Sequence, residues 1–246
     1  MGNGQFQLDI FGEALLLYTT AARHDQLDMT RWQAVEQAVA GIEAKWATPD
    51  AGVWELHNEQ WTHSRLMCVA GLRAISRYAP ATQAAVWGSL ADRILAETAA
   101  TCTHFSGTWQ RSAADARIDA ALLIPTVRGA VPGHHSRSLA TAEAVRKELL
   151  DDGYVYRFRH KPGPLGDVED AFLLCGFFLA LTEYQQGNVK DAFRLFERNR
   201  AACASPGLFT EEFDIEQRQL RGNFPQAFVH AAMLETAHWL ARPPGA

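Results

Sequence analysis

The sequence predicts an all-α protein, and three observations carry that expectation. Apolar residues recur close to every 3.6 positions along nearly the whole chain. Gly, Pro and Asn punctuate the intervals between those stretches. Strand-like alternation is confined to Tyr154-Val155-Tyr156-Arg157-Phe158, too little to build a sheet. Leu8, Phe11, Leu15 and Tyr18 form the first stripe. Trp32, Val35, Val39 and Ile42 form the second, with Thr30 available as a cap. Leu66, Val69 and Leu72 lead a third, and Val86, Leu90 and Ile94 a fourth. Ala120 to Val127 reads as a shorter helix bent or ended near Pro125, which has no amide to donate. Leu139, Ala142, Val145 and Leu149 follow two possible caps, Ser136 and Ser138. The apolar run from Ala171 to Tyr184 ends at Gly187, a helix stop; Asn188 can cap the next stripe, Val189, Phe193 and Phe196. The last helix begins near Pro225 and carries Val229, Met233 and Leu240.

Helices of about 12 to 20 residues joined by short and long loops suggest antiparallel hairpins. The absence of a strict short repeat argues against a solenoid. No linker or shift in composition divides the chain, so one domain, residues 1–246, is expected.

Composition narrows the function. Hydrophobic residues at 48% and charged residues at 21% exclude wholesale disorder. A formal net charge of −5 argues against a nucleic-acid partner, whose phosphates demand dense Lys and Arg. No apolar run is long enough for a bilayer span, and the start lacks a basic segment followed by an apolar core, so no membrane and a cytoplasmic location are expected. Cys68, Cys102, Cys175 and Cys203 are widely separated, which gives no zinc motif and no disulfide framework; four buried reduced thiols are expected.

Function tends to sit on long loops over a helical scaffold, and two loops here set carboxylates beside aromatics. One runs Pro49-Asp50-Ala51-Gly52-Val53-Trp54-Glu55-Leu56 and on to Trp61-Thr62-His63-Ser64-Arg65. The other runs Gly207-Leu208-Phe209-Thr210-Glu211-Glu212-Phe213-Asp214 and on to Gly222-Asn223-Phe224-Pro225-Gln226-Ala227-Phe228. Cleavage of a glycosidic bond needs one acid to protonate the leaving oxygen and one base to activate water. A neighbouring aromatic can hold an acid protonated near neutrality, and sugar C–H faces pack on aromatic rings. The bland alternatives are a surface carboxylate for Trp54-Glu55 and a solvated acidic helix start for Glu211-Glu212-Phe213-Asp214. His63 and Arg65, two apart, do not face one another on a helix.

The order of these segments resembles the C-terminal part of the catalytic domain of the glucoamylase family (glycoside hydrolase family 15), above all its bacterial branch. Gly2-Asn3 and Gln7-Leu8-Asp9 with Gly12-Glu13 are similar to the family's entry helix, and Gly52-Val53-Trp54-Glu55 with Thr62-His63-Ser64-Arg65 to its general-acid loop. Asp119-Ala120, Leu122-Leu123, Tyr156-Arg157-Phe158 and Glu169-Asp170-Ala171-Phe172-Leu173 resemble later elements. Glu211-Glu212-Phe213-Asp214 and the stretch from Gly222 to His230 resemble the base loop and last inner helix.

The resemblance implies an (α/α)6 barrel of the six-hairpin glycosidase type, here lacking its N-terminal helices. It implies removal of glucosyl units at α-linkages with inversion, from an α-glucan, an oligosaccharide or trehalose. Glu55 would be the general acid, desolvated by Trp54, and Glu211 the general base, with Glu212 its neighbouring rival. Arg157 and Glu169 would lie near the glucose subsite; Arg157 is alternatively a surface partner of Asp151 or Asp152. The chemistry needs no cofactor and no metal.

Three departures stand against the family pattern. An Arg-Asp pair that grips the terminal glucose belongs to the helices lacking here, Asp170 stands where relatives have Gly, and His57-Asn58-Glu59-Gln60 replaces a Gly-rich stretch. An open barrel would expose apolar faces on its first and last inner helices, so association is expected, with a second copy or a separate N-terminal half. The alternative function is a noncatalytic helical module that binds sugar or a partner chain.

Overall fold

The computed structural model describes residues 5–159, 170–205 and 207–242. They group into two compact units, one running to Arg117 and including Ile124–Pro132, the other made of Ile118–Leu123 and the chain from Gly133 onward.

The first unit holds α1 (Asp9–Arg23), α2 (Met29–Lys45), α3 (Thr62–Ile75), α4 (Ala81–Thr101) and the short α5 (Ile124–Val127). Helix α3 is buried on every side from Thr62 to Leu72, the mark of an inner helix. Helix α1 meets it at backbone distance: a Cβ on Gly12 would fall 2.3 Å from the Met67 carbonyl oxygen, and one on Gly71 would fall 2.5 Å from the Gly12 carbonyl oxygen. Leu8, Leu15, Val35 and Ile42 are fully buried, as their stripes predict. Asp28, not Thr30, caps α2, its carboxylate accepting the Arg31 N–H. In α4 the buried line is Trp87, Leu90, Ala91, Ile94 and Thr98, because Trp87 stacks on Trp32 at 5.7 Å. Val86, one position away, therefore faces solvent.

The second unit holds a 3-10 turn (Ala120–Leu123), α6 (Ser136–Leu149), β1 (Leu150–Asp151), β2 (Tyr154–Val155), β3 (Ala171–Phe172), α7 (Leu173–Gln185), α8 (Val189–Arg200), β4 (Glu212–Asp214), β5 (Gln219–Arg221) and α9 (Ala227–Leu240). The break expected near Pro125 falls between Leu123 and Ile124, which leaves Pro125 in the first turn of α5, where no amide is missed. Helix α7 is the inner helix of this unit, buried over most of its length. A Cβ on Gly176 would fall 2.0 Å from Asn199 Oδ1, so α8 packs closely on it. Glu183 is fully buried, paired with Arg146 of α6 and accepting from the Asn188 amide at 2.7 Å. Gly187, at φ +83°, terminates α7 as expected. The cap of α6 is His135, whose Nδ1 accepts the Arg137 N–H, rather than either serine.

The expectation that Tyr154–Phe158 builds no sheet is corrected in part. β2 pairs antiparallel with β1 across the Asp152-Gly153 turn, where both residues adopt positive φ. A second antiparallel sheet runs β3-β4-β5, pairing Phe172 with Glu212 and Glu212 with Arg221. Exposed apolar side chains stand on α1 (Ile10, Leu17) and α9 (Phe228, Leu234). Cys68, Cys102 and Cys175 are buried free thiols; Cys203 is half-buried.

Candidate active site

Each unit carries one of the two expected catalytic carboxylates on an irregular loop. In the first unit, the loop between α2 and α3 is tied at its root. Asp50 pairs with Glu59 through both backbone hydrogen bonds, at 2.9 Å each, and its carbonyl accepts the Trp61 indole N–H at 2.9 Å. Asp50 Oδ1 accepts from Gly52 N–H at 2.8 Å, from the Ser64 hydroxyl at 2.9 Å and from Leu8 N–H at 3.4 Å. Burial above all pushes the Asp50 carboxyl up to about 6, against those hydrogen bonds, which favour the charged form. Burial likewise raises Asp9, with the charge of Glu55 adding to it.

Glu55 closes the turn that follows, in a left-handed conformation at φ +54°, its N–H bonded to the Gly52 carbonyl at 3.2 Å. Its carboxylate accepts from the Gln7 side-chain amide at 2.9 Å, and Gln7 also donates to the Gly52 carbonyl at 3.2 Å. Trp54 is half-buried while Glu55 is exposed. Among the described residues, the side-chain group that contacts this carboxylate is the polar amide of Gln7.

His63 and Arg65 are both buried at the start of α3, with Arg65 donating to Gln60 Oε1 at 2.6 Å. Gln60, in the stretch that replaces the family's Gly-rich segment, is thus built into the packing of α3.

In the second unit, Glu211 sits immediately before β4. Its N–H bonds the Asn223 carbonyl at 3.0 Å, and its Oε2 accepts from the Asn223 side-chain amide at 2.8 Å and from Asn223 N–H at 3.4 Å. Gly222 adopts φ +72°, and a Cβ there would stand 3.0 Å from Glu211 Cβ, so glycine is required for the turn to close on the carboxylate. Glu212 points into a different environment. Arg157 lies 3.3 Å from Glu212 Oε1, both side chains mostly buried, with its guanidinium over the Phe172 ring at 5.4 Å. The alternative pairing of Arg157 with Asp151 or Asp152 is not what forms; Asp152 instead binds Arg198 and Arg218. Asp170 lies at the edge of this group, 4.0 Å from Arg221, its carboxyl raised by burial and by the charge of Asp214. Glu169, also expected near the glucose subsite, lies outside the described residues.

The structure thus brings Arg157 onto Glu212, and Asn223 onto Glu211. Sequence reasoning missed Gln7, Asp50 and Asn223 as supporting groups. The Asp50-x-Gly52 spacing is a signal for the first loop's turn, since an Asp side chain commonly accepts the N–H two residues on. Among the described residues there is no cluster of His, Cys, Asp and Glu able to hold a metal ion, and no helix long and apolar enough to cross a membrane.

An all-α fold with inner and outer helices, bearing loops that present carboxylates, is that of the six-hairpin glycosidases. The profile of glycosyl hydrolases family 15 matches residues 1–238, and the chain belongs to that family. A trehalase of Mycobacterium tuberculosis is 31% identical over 95% of this chain and 36% of the relative, and one of Mycolicibacterium smegmatis is 30% identical over 95% and 37%. The chain spans less than half the length of these curated relatives. Among solved structures, a wild-type glycosidase superimposes with a TM-score of 0.81 at 25% identity, covering 96% of this chain and 67% of that one. A bacterial glucoamylase complexed with acarbose superimposes at 0.75 and 16% identity, covering 96% and 41%, and shows the fold alone.

Proposed function

We propose that the chain carries both catalytic carboxylates of an inverting α-glucoside hydrolase, with Glu55 as general acid and Glu211 as general base. Trehalose is the first substrate to test, since the relatives matched over nearly the full chain are named trehalases. Glu55 would protonate the glycosidic oxygen as its bond to the anomeric carbon breaks. Glu211 would take a proton from the water whose oxygen bonds that carbon from the opposite face. Such a pair stands roughly 6.5–9.5 Å apart in inverting enzymes, leaving room for the water.

The observation that carries the assignment within the acidic loop is the contrast between two adjacent side chains. Glu212 is engaged by the Arg157 guanidinium, which holds it as a structural anion. From the described residues Glu211 receives amide donors on one oxygen, and its other oxygen would accept a proton from water. Arg157, set between Glu212 and the Phe172 ring, would lie near the glucose subsite, where a guanidinium is suited to sugar hydroxyls.

The deciding experiment incubates the chain with trehalose, maltose and longer α-glucans and follows the released anomer by NMR. β-Glucose in the first product, accompanied from trehalose by an equal amount of α-glucose from the leaving half, supports the reading, whereas initial α-glucose without the β anomer, or no release from any substrate, overturns it. Calorimetry run alongside identifies binding without release, the signature of a noncatalytic module. The association expected from the sequence would use the exposed faces of α1 and α9, and size measured in solution tests it.

A further inference from the structure

At the root of the Glu55 loop lie two carboxyls that the proposed mechanism does not use. Asp9, the first residue of α1, is 8% exposed, and Asp50 is 1% exposed. One oxygen of Asp50 is saturated by three donors from three separate segments: Leu8 ahead of α1, Gly52 in the loop, and Ser64 in the first turn of α3. Its other oxygen, Oδ2, and Asp9 Oδ1 are both buried and receive no hydrogen bond from any described residue. Among the described residues no cation is placed against either group; Asp50 feels the charge of Asp9, Asp9 feels that of Glu55, and the donors are backbone and hydroxyl groups.

Two neighbouring buried carboxylates without a counter-charge are more costly than one, and like charges so placed do not both ionise readily. A single proton removes one charge and turns an unpartnered acceptor into a donor. We propose that Asp9 and Asp50 hold one proton between them, and that this singly protonated pair is the positioning element that keeps the Gly52 turn, and with it Glu55, in place. The inference rests on the reading of Glu55 as general acid.

The connections run through few atoms. Gly52 is fixed by Asp50 on its N–H and by Gln7 on its carbonyl, and the same Gln7 amide holds Glu55 Oε1. Ala51 N–H bonds the Phe6 carbonyl at 2.8 Å, so the loop and the entry to α1 move together. Glu55 itself occupies a left-handed conformation that persists only where its surroundings hold it. Among the described residues, the titratable groups facing the pair are Glu55 from the loop and Cys68 from α3. Burial and the two carboxyls push the Cys68 thiol well above its usual range, so it stays neutral and supplies no compensating charge. Loss of the shared proton as pH approaches neutrality places two charges at the root of the loop, and local opening relieves them.

The test is a 13C titration of the aspartate carboxyls in the full chain, with exchange of the Gly52 amide followed in the same samples. In the unmodified chain the Asp50 carboxyl is expected to titrate near 6, and Asp9→Asn is expected to lower that midpoint by about one unit. Above it, Gly52 amide exchange should accelerate by up to about tenfold per pH unit beyond its intrinsic rise. Asp50→Asn, whose amide supplies a fixed donor in place of the proton, should abolish that extra acceleration, and Asp50→Ala should exchange fast throughout. Both carboxyls already ionised at about pH 5, or an Asp50 midpoint untouched by Asp9→Asn, overturns the inference. None of these readouts needs turnover. Titrations as expected without glucose release would sink the hydrolase reading alone, and glucose release with two ordinary carboxyls would sink this inference alone.

Discussion

Asn223 holds Glu211 at three points: its side-chain amide donates to Glu211 Oε2 at 2.8 Å, its backbone N–H reaches the same oxygen at 3.4 Å, and its carbonyl accepts the Glu211 N–H at 3.0 Å. The side-chain bond is the one that substitution can remove without disturbing the backbone pairing. A hydrogen bond to a charged group contributes about 1.5–3 kcal/mol. Asn223→Ala should therefore lower kcat for glucose release about 10- to 100-fold, with a smaller change in KM. Equal kcat in the variant would show that Glu211 needs no such support.

Removing the two carboxyls proposed as acid and base separately tests the division of labour. Glu55→Gln and Glu211→Gln should each lower hydrolysis by about two orders of magnitude or more, with thermal unfolding little changed. Glu212→Gln is expected to act differently, because it releases Arg157 from its ion pair. Its effect should fall on KM for the sugar more than on kcat. Near-normal turnover in Glu211→Gln beside a dead Glu212→Gln would reverse the assignment of the base.

Glu183 supplies a prediction about stability alone. It is a fully buried residue of α7, paired with Arg146 of α6 and with Asn188. Glu183→Ala leaves Arg146 without its buried partner, and breaking such a pair costs about 3 kcal/mol. Urea unfolding should report a loss of this order. A change of less than about 0.5 kcal/mol would place the pair among the surface bridges that contribute little.

Asp50 makes stability depend on pH in a defined direction. Its folded-state carboxyl is raised from 3.8 to about 6, chiefly by burial. The native chain thus binds the proton more tightly than the unfolded chain. Its contribution to stability is complete below about pH 4 and declines as pH rises to about 6, after which the loss is constant. The loss amounts to about 2–3 kcal/mol. Asp50→Asn removes this group's titration. The difference in unfolding free energy between variant and unmodified chain should therefore shift in the variant's favour across that interval. A difference flat from about pH 4 to 7.5 would show that Asp50 titrates normally.

The helices were legible because burial imposes a period that the chain must repeat. Leu8 and Leu15, Val35, Val39 and Ile42, Leu66, Val69 and Leu72, and Val229 and Leu240 all reach the interior as their stripes require. Where a stripe was misread, a partner decided it. Trp87 rather than Val86 turns inward because Trp32 offers a ring to stack on. The caps Asp28 and His135 were passed over for nearby hydroxyls, a choice set by backbone angles at the helix start rather than by residue type. The β3-β4-β5 strands are two or three residues long, and a strand so short is specified by its neighbours more than by its own composition.

The order of residues alone determined the helical class, the family, and the two loops on which the expected carboxylates stand. It did so because periodic burial and loop chemistry are written locally, within a few residues of each other. Only the tertiary structure decided that Arg157 neutralises Glu212, that Asn223 holds Glu211, and that Asp9 and Asp50 lie buried at the root of the Glu55 loop. Those relationships join residues that are 55, 12 and 41 positions apart. A charge chooses its partner by distance and desolvation in the folded chain, and neither quantity exists until the chain has folded.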